Sequence, residues 1–352
     1  MIRADLTLVP DRAADPTADV AEGVPAPLRR SATPSRTSAK AQGTQAFPPL
    51  TAVPSWARTS GRAGEDPLFA AGAGLALLDA HLRGDPPAAG ALRQRLALQS
   101  AAASAKILRL NAEVAPLRDL RFAVGDARGP AAKLLRLWRE LAIWPPSLES
   151  GRLAAAAAAL DLPAPNAGTL AESLSEQSTA GDPVSAAGKS AAVLFSAFPD
   201  APAAEAEILA LWLFDMVIAI RLRWPRPVPL IAVKILDPSS RSGGGGRARP
   251  GESAWEKHAT GAIAHAAASA LDLAADLFRR ADTLLAVAPK LRAKPAQRIV
   301  ELLLAEDCVS PAEAARHAPM TDRAARRLFD RLVALGAARE LSGRPAFRLY
   351  GL

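Results

Sequence analysis

Residues 322–352 read DRAARRLFDRLVALGAARELSGRPAFRLYGL. Their pattern decides between a plain helical bundle and a helical body carrying a small recognition module. Ala325, Leu328, Leu332 and Leu335 recur at helical spacing and define an inner stripe. Arg323, Arg327 and Arg331 fall at i, i+4 and i+8 on the outer face, with Arg326 beside them. Thr321 suits an N-cap, because its hydroxyl accepts from a first-turn amide. Gly336 sits where the residue after a helix takes the left-handed conformation. Beyond it the period changes from helical to alternating. Arg339-Glu340-Leu341, a turn at Ser342-Gly343-Arg344-Pro345, and Phe347-Arg348-Leu349-Tyr350 predict a β-hairpin. Phe347 and Leu349 are expected on one face, Arg348 and Tyr350 on the other.

Working upstream, Pro295 suits the first turn of a helix whose face carries Ile299, Leu302 and Leu303. Ser310-Pro311-Ala312-Glu313 is a capping box opening a second, short helix, AEAARHA. Residues 291–352 therefore predict helix, short helix, basic helix and hairpin, the order of a winged helix-turn-helix. In that architecture the third helix enters the DNA major groove while the hairpin wing lies along the backbone. Residues 316–352 hold eight arginines against three carboxylates, whereas a merely solvated helix more often alternates signs. Arginine binds phosphate oxygens or guanine edges with the same fork. The expected partner is duplex DNA, contacted by Thr321, Arg323, Arg326, Arg327, Arg331, Arg344 and Arg348. A solvated face and a protein-docking surface are the competing readings.

The body, residues 66–290, is expected to be all-α. Half of the chain is hydrophobic, there is one Tyr, and alanine and leucine dominate the apolar set. Helices are expected in DPLFAAGAGLALLDAHL, GALRQRLALQSAAASAKILRLN, GPAAKLLRLWRELAIWPP and ESGRLAAAAAALDL. Leu134, Leu137, Trp138 and Leu141 give the third of these its stripe. Residues 163–188, rich in Pro, Gly, Ser and Thr, read as a loop with at most a short helix. A long helix follows at 203–223, PVPLIAVKIL leans to helix, SSRSGGGGRARPG reads as a flexible basic loop, and a helix is expected over 251–287. Residues 1–64, without hydrophobic periodicity, are expected to be disordered.

The 322–352 run, together with DPLFAAGAGLALLDAHLRGDPP, LRWPRPVPL and LAVAPKLRAK upstream, resembles a bacterial family of unknown function, number 1403, over residues 54–352. That resemblance supplies no activity. The ELSGRPAFRLYGL stretch also resembles the wing of modules attached to other bacterial helical domains, including Fic-type proteins. The histidine-led Fic catalytic loop is absent, so AMP transfer is not implied.

Several chemistries find little support. Cys308 is the single cysteine and there are four histidines, so no disulfide within the chain forms and a Cys/His zinc site is not expected. A reducing cytoplasm fits. The first twenty residues lack the apolar core of a signal peptide. ILALWLFDMVIAI, residues 208–220, is thirteen residues long and contains Asp215, against about 20 needed to cross a bilayer. It reads as a buried helix, and no membrane partner is expected. GAGLAL and SGGGGRARPG lack the full dinucleotide and P-loop patterns. His258 and His265, seven apart, stand about 10 Å apart along a helix, too far to share an ion. Asp79 and Asp215, each in an apolar helix, are the one enzymatic alternative; the plainer reading satisfies them with Arg83, Arg221, Arg223 or helix ends. Residues 221–249 form a second basic zone, with seven cations against Asp237. The net charge of +8 favours acidic partners in general. No enzyme, cofactor or metal is expected. The expectation is a DNA-binding protein with a regulatory or plasmid and mobile-element role, its body supplying ligand sensing or a homodimer contact.

Overall fold

Alanine and leucine carry the chain into helices, as their propensities require. The computed structural model describes residues 52–60, 66–122, 129–165, 167–240, 247–291, 295–344 and 347–352. These belong to one unit, Phe47–Leu352; a separate unit, Met1–Ala46, lies outside the described residues. So do most of the expected disordered extension, residues 241–246 of the expected glycine loop, and Pro345 of the expected turn. Within the extension, a 3-10 turn at Ser55–Ala57 buries Val53 and Ala57.

The protein is all-α apart from one small sheet among the described residues. The body comprises α1 (Pro67–Leu82), α2 (Ala89–Ile107), α3 (Val114–Leu120), α4 (Pro130–Ile143), α5 (Ser150–Ala159), α6 (Ala167–Thr179), α7 (Pro183–Ser196), α8 (Ala203–Leu222), α9 (Ile231–Lys234) and α10 (Trp255–Val287). Then come α11 (Ala296–Ala305), α12 (Pro311–His317) and α13 (Asp322–Ala334), with strands β1 (Arg339–Glu340) and β2 (Tyr350–Gly351). The strands pair antiparallel, Arg339 opposite Gly351 and Glu340 opposite Tyr350. Val309 adds a bridge to Tyr350 from the other side.

α8 is the centre of the core. Every residue from Ala206 to Ala219 is buried, as expected for a helix apolar on all sides. It packs on α7, while α1 packs on α10 and α2 on α4. Trp138 of α4 is fully buried, and its indole N–H donates to Ser104 of α2 at 2.9 Å. α10 is long and apolar enough to cross a bilayer by length and composition, but its apolar stripe from Ala259 to Leu284 is buried against the body.

Three expectations change. The stretch 163–188 contains α6 and the start of α7 instead of a loop. Leu170, Leu174 and Ser178 bury one face of α6, and Asp182 caps α7 by accepting from Val184 and Ser185. A glycine, prolines and polar residues obscured that face without preventing it, because tertiary burial outweighs weak local propensity. α3 was not expected at all. It is short, and Pro116 sits in its first turn, where a missing N–H is tolerated. PVPLIAVKIL yields only the four residues of α9.

Candidate nucleic-acid interface

The helices that would meet a nucleic acid are fixed by their ends. The Ser310 hydroxyl accepts from the Glu313 amide at 3.1 Å and starts α12. The Thr321 hydroxyl accepts from the Ala324 amide at 3.2 Å and starts α13. Gly336, at φ +67°, stops α13. Its N–H reaches the Val333 carbonyl at 2.9 Å while that of Ala337 reaches Leu332 at 2.8 Å, a Schellman closure.

The inner face of α13 differs from the expected stripe. Ala325, Phe329 and Leu332 are buried, Leu328 is half-buried, and Leu335 is 43% exposed. Phe329 turns the helix inward because it has an aromatic partner: its ring stacks on Tyr350, centroids 4.4 Å apart. Tyr350 is therefore interior, not on the outer face with Arg348. It is flanked by β1 and by Val309, with which it exchanges hydrogen bonds of 2.7 and 2.9 Å. Phe347 meets Phe122 just beyond α3, edge to face at 6.1 Å.

The sequence-selected arginines separate into three groups. Arg323, Arg327 and Arg331 share the outer face of α13, and all three are exposed. Arg323 and Arg327 form no ion pair among the described residues, and Arg331 donates to the Lys290 carbonyl at 3.4 Å. Arg326 lies on the flank facing the hairpin, where Asp322 holds it at 2.7 Å, and Arg348 of the hairpin meets Asp330 at 3.5 Å. A groove of about 450 Å³ separates that flank from α12 and Phe122, and Arg316 lines it as well. Arg344 turns toward the body and contacts Asp119 of α3 at 2.6 Å. Thr321 is exposed at the start of the helix.

What mounts this surface on the body is a set of buried ion pairs that sequence reading did not find. Asp307, its side chain 4% exposed, accepts from Arg95 of α2 and, at 2.7 Å, from Arg118 of α3. Arg121, the residue after α3, reaches Glu313 at 2.5 Å, Glu306 at 3.3 Å and the Cys308 carbonyl. Arg139 of α4 reaches Glu306 at 2.8 Å. Burial pushes the Arg95 guanidinium down to about 10, and neighbouring Arg118 pushes the same way. Burial likewise raises the Glu313 carboxyl, against the pull of Arg121. Beside these pairs, α2 and α11 touch backbone to backbone: a Cβ on Gly90 would stand 2.8 Å from the Ala305 Cα.

Other candidates resolve into structural roles. Asp79 binds Arg83 at 2.6 Å and accepts from the Trp224 indole at 2.9 Å. Asp215 accepts from the amides of Leu230 and Ile231 at 2.8 and 3.1 Å, so it caps α9 with no arginine involved. Burial pushes its carboxyl up to about 8. His258 is buried with Nε2 3.0 Å from the Ile235 carbonyl, and no metal-ligating group of three forms among the described residues. Most of the second basic zone holds loops together. Arg221 bonds the Ser178 and Gly181 carbonyls, Arg226 the Ile143 carbonyl, and Arg247 and Arg249 the buried Glu207. Arg241 lies outside the described residues.

The model for the family described as "Protein of unknown function (DUF1403)" matches residues 41–352. No curated protein matches the chain.

Proposed function

We propose that this chain, which belongs to the DUF1403 family of proteins of unknown function, binds duplex DNA through residues 296–352. The observation that carries the reading is the outer face of α13, where Arg323, Arg327 and Arg331 stand in one exposed row. The succession of α11, α12 and α13, with β1 and β2 pairing and Val309 bridging Tyr350, supports a winged helix-turn-helix. In such a module α13 would enter the major groove and the hairpin would follow the backbone. Arg323 and Arg327, which pair with no carboxylate among the described residues, need give up none of those to meet phosphate or a guanine edge.

The test is anisotropy of a labelled duplex titrated with the full chain across a salt series. Phosphate contacts lower log K by about 0.9 per neutralised phosphate per decade of salt. The R323A/R327A/R331A variant should bind more weakly and with a shallower slope. A flat salt response, or a triple variant that binds as tightly as the parent, would refute DNA binding.

A second reading, a module that docks on protein, draws on the two contacts that the hairpin makes with the end of α3. Under that reading the triple variant changes nothing and the hairpin contacts decide binding.

A further inference from the structure

We propose that Asp119 and Phe122 form a releasable latch that keeps Arg344 from duplex DNA; this rests on the DNA reading above. Residues 118–122, RDLRF, touch the C-terminal residues in two distinct ways. Arg118 and Arg121 face inward and engage Asp307 and Glu313, side chains that are 4% and 10% exposed. Asp119 and Phe122 face the hairpin. Asp119 holds Arg344 at 2.6 Å with side-chain exposures of 24% and 56%. Phe122 meets Phe347 edge to face, with planes at 70°.

The contrast in burial decides which set lets go. A buried, multiply bonded ion pair resists separation, whereas an exposed pair contributes little and is weakened by salt. The hairpin can therefore leave α3 while α11 and α12 remain clamped. The turn aims Arg344: Gly343 takes φ +65°, and Glu340 accepts from the Ser342 and Gly343 amides at 2.9 and 3.0 Å. A phosphate brought to Arg344 in its present position would also lie beside the Asp119 carboxylate, and like charges repel. Arg344 must exchange Asp119 for phosphate, so the contact opposes binding.

The experiment compares full-length parent, D119N, F122A, R344A and D119N/R344A on one labelled mixed-sequence duplex across a salt series. D119N should tighten binding by about two- to five-fold, the range for an exposed pair, and F122A should shift it in the same direction. The salt slope should steepen by about 0.9, one extra phosphate. R344A should abolish the gain, making D119N/R344A equal to R344A. F122A changes no charge but also uncovers Arg121, whose guanidinium lies 4.9 Å from the centre of the Phe122 ring, whereas D119N is nearly isosteric and leaves that contact in place.

If the parent binds with a salt slope but D119N and F122A match it, the latch is wrong and the DNA reading stands. A gain that survives in D119N/R344A assigns the effect to general repulsion by Asp119 and also overturns the latch. If neither the parent nor D119N shows salt-dependent binding, both proposals fall together.

Discussion

Tyr350 lies flat on Phe329, ring planes 4° apart, and the contact joins the β-sheet to the inner face of α13. Both rings are buried. Phe329→Ala removes the larger share of that face and should destabilise the protein by about 3–5 kcal/mol. Phe329→Leu should recover part of the loss. Urea midpoints of the two variants check this, and equal midpoints for Ala and Leu would contradict it.

Asp215 supplies a pH dependence with a definite sign. Its carboxyl titrates near 8 in the fold, above the ordinary value of 3.8, and burial is the cause. The folded state therefore prefers the protonated acid. Its contribution is complete below about pH 4, declines as pH rises toward 8, and stays lost above that. Asp215→Asn cannot ionise, so the denaturation midpoint of the parent should fall relative to D215N between pH 5 and pH 9. Below about pH 4, where the contribution of the parent's Asp215 is complete, Asp215→Ala leaves the Leu230 and Ile231 amides without an acceptor and should cost about 1–3 kcal/mol.

Removing Asp307 strands Arg95 and Arg118 in a buried site. Asp307→Ala should destabilise by about 3–5 kcal/mol, and added salt should not restore it because the pairs are shielded from solvent. Thermal melts at low and high salt distinguish this from a surface pair. Loss of the difference at high salt would place the interaction in solvent.

Gly90→Ala tests the backbone contact between α2 and α11. The nearest atoms to the added methyl are Ala305 Cα and O, at 2.8 and 2.9 Å. No flexible side chain can yield there, so the helices must separate. Despite alanine's better helix propensity, the variant should lose about 1–3 kcal/mol. A more stable G90A protein would show that α11 can shift freely.

Local chemistry made part of this architecture legible. Ser310, Thr321 and Gly336 marked the ends of α12 and α13 because caps are short-range devices, and each makes its expected bond. The all-apolar run around Asp215 read correctly as a buried helix. The face of α13 was misread by part of a turn, since period alone does not reveal that Phe329 has a ring waiting on β2. Leu170 and Leu174 carried a readable helical spacing, but the surrounding Pro, Gly and Ser suggested a loop. The arginines of the outer face were visible as a row. What could not be read was their restraint. Arg95 meets Asp307 across 212 positions and Arg344 meets Asp119 across 225, and no local pattern encodes such pairings.

The ion pairs between the body and residues 306–313 also bear on how the C-terminal residues behave when severed from the rest. Cut near residue 290, Glu306, Asp307 and Glu313 would lose the guanidinium groups that now neutralise them. The excised piece would then carry three carboxylates that no guanidinium of the body neutralises. Under the proposed DNA reading, the excised piece should bind a duplex more weakly than the same residues in the whole chain. Under the proposed reading, the body serves the C-terminal residues as their counter-charge.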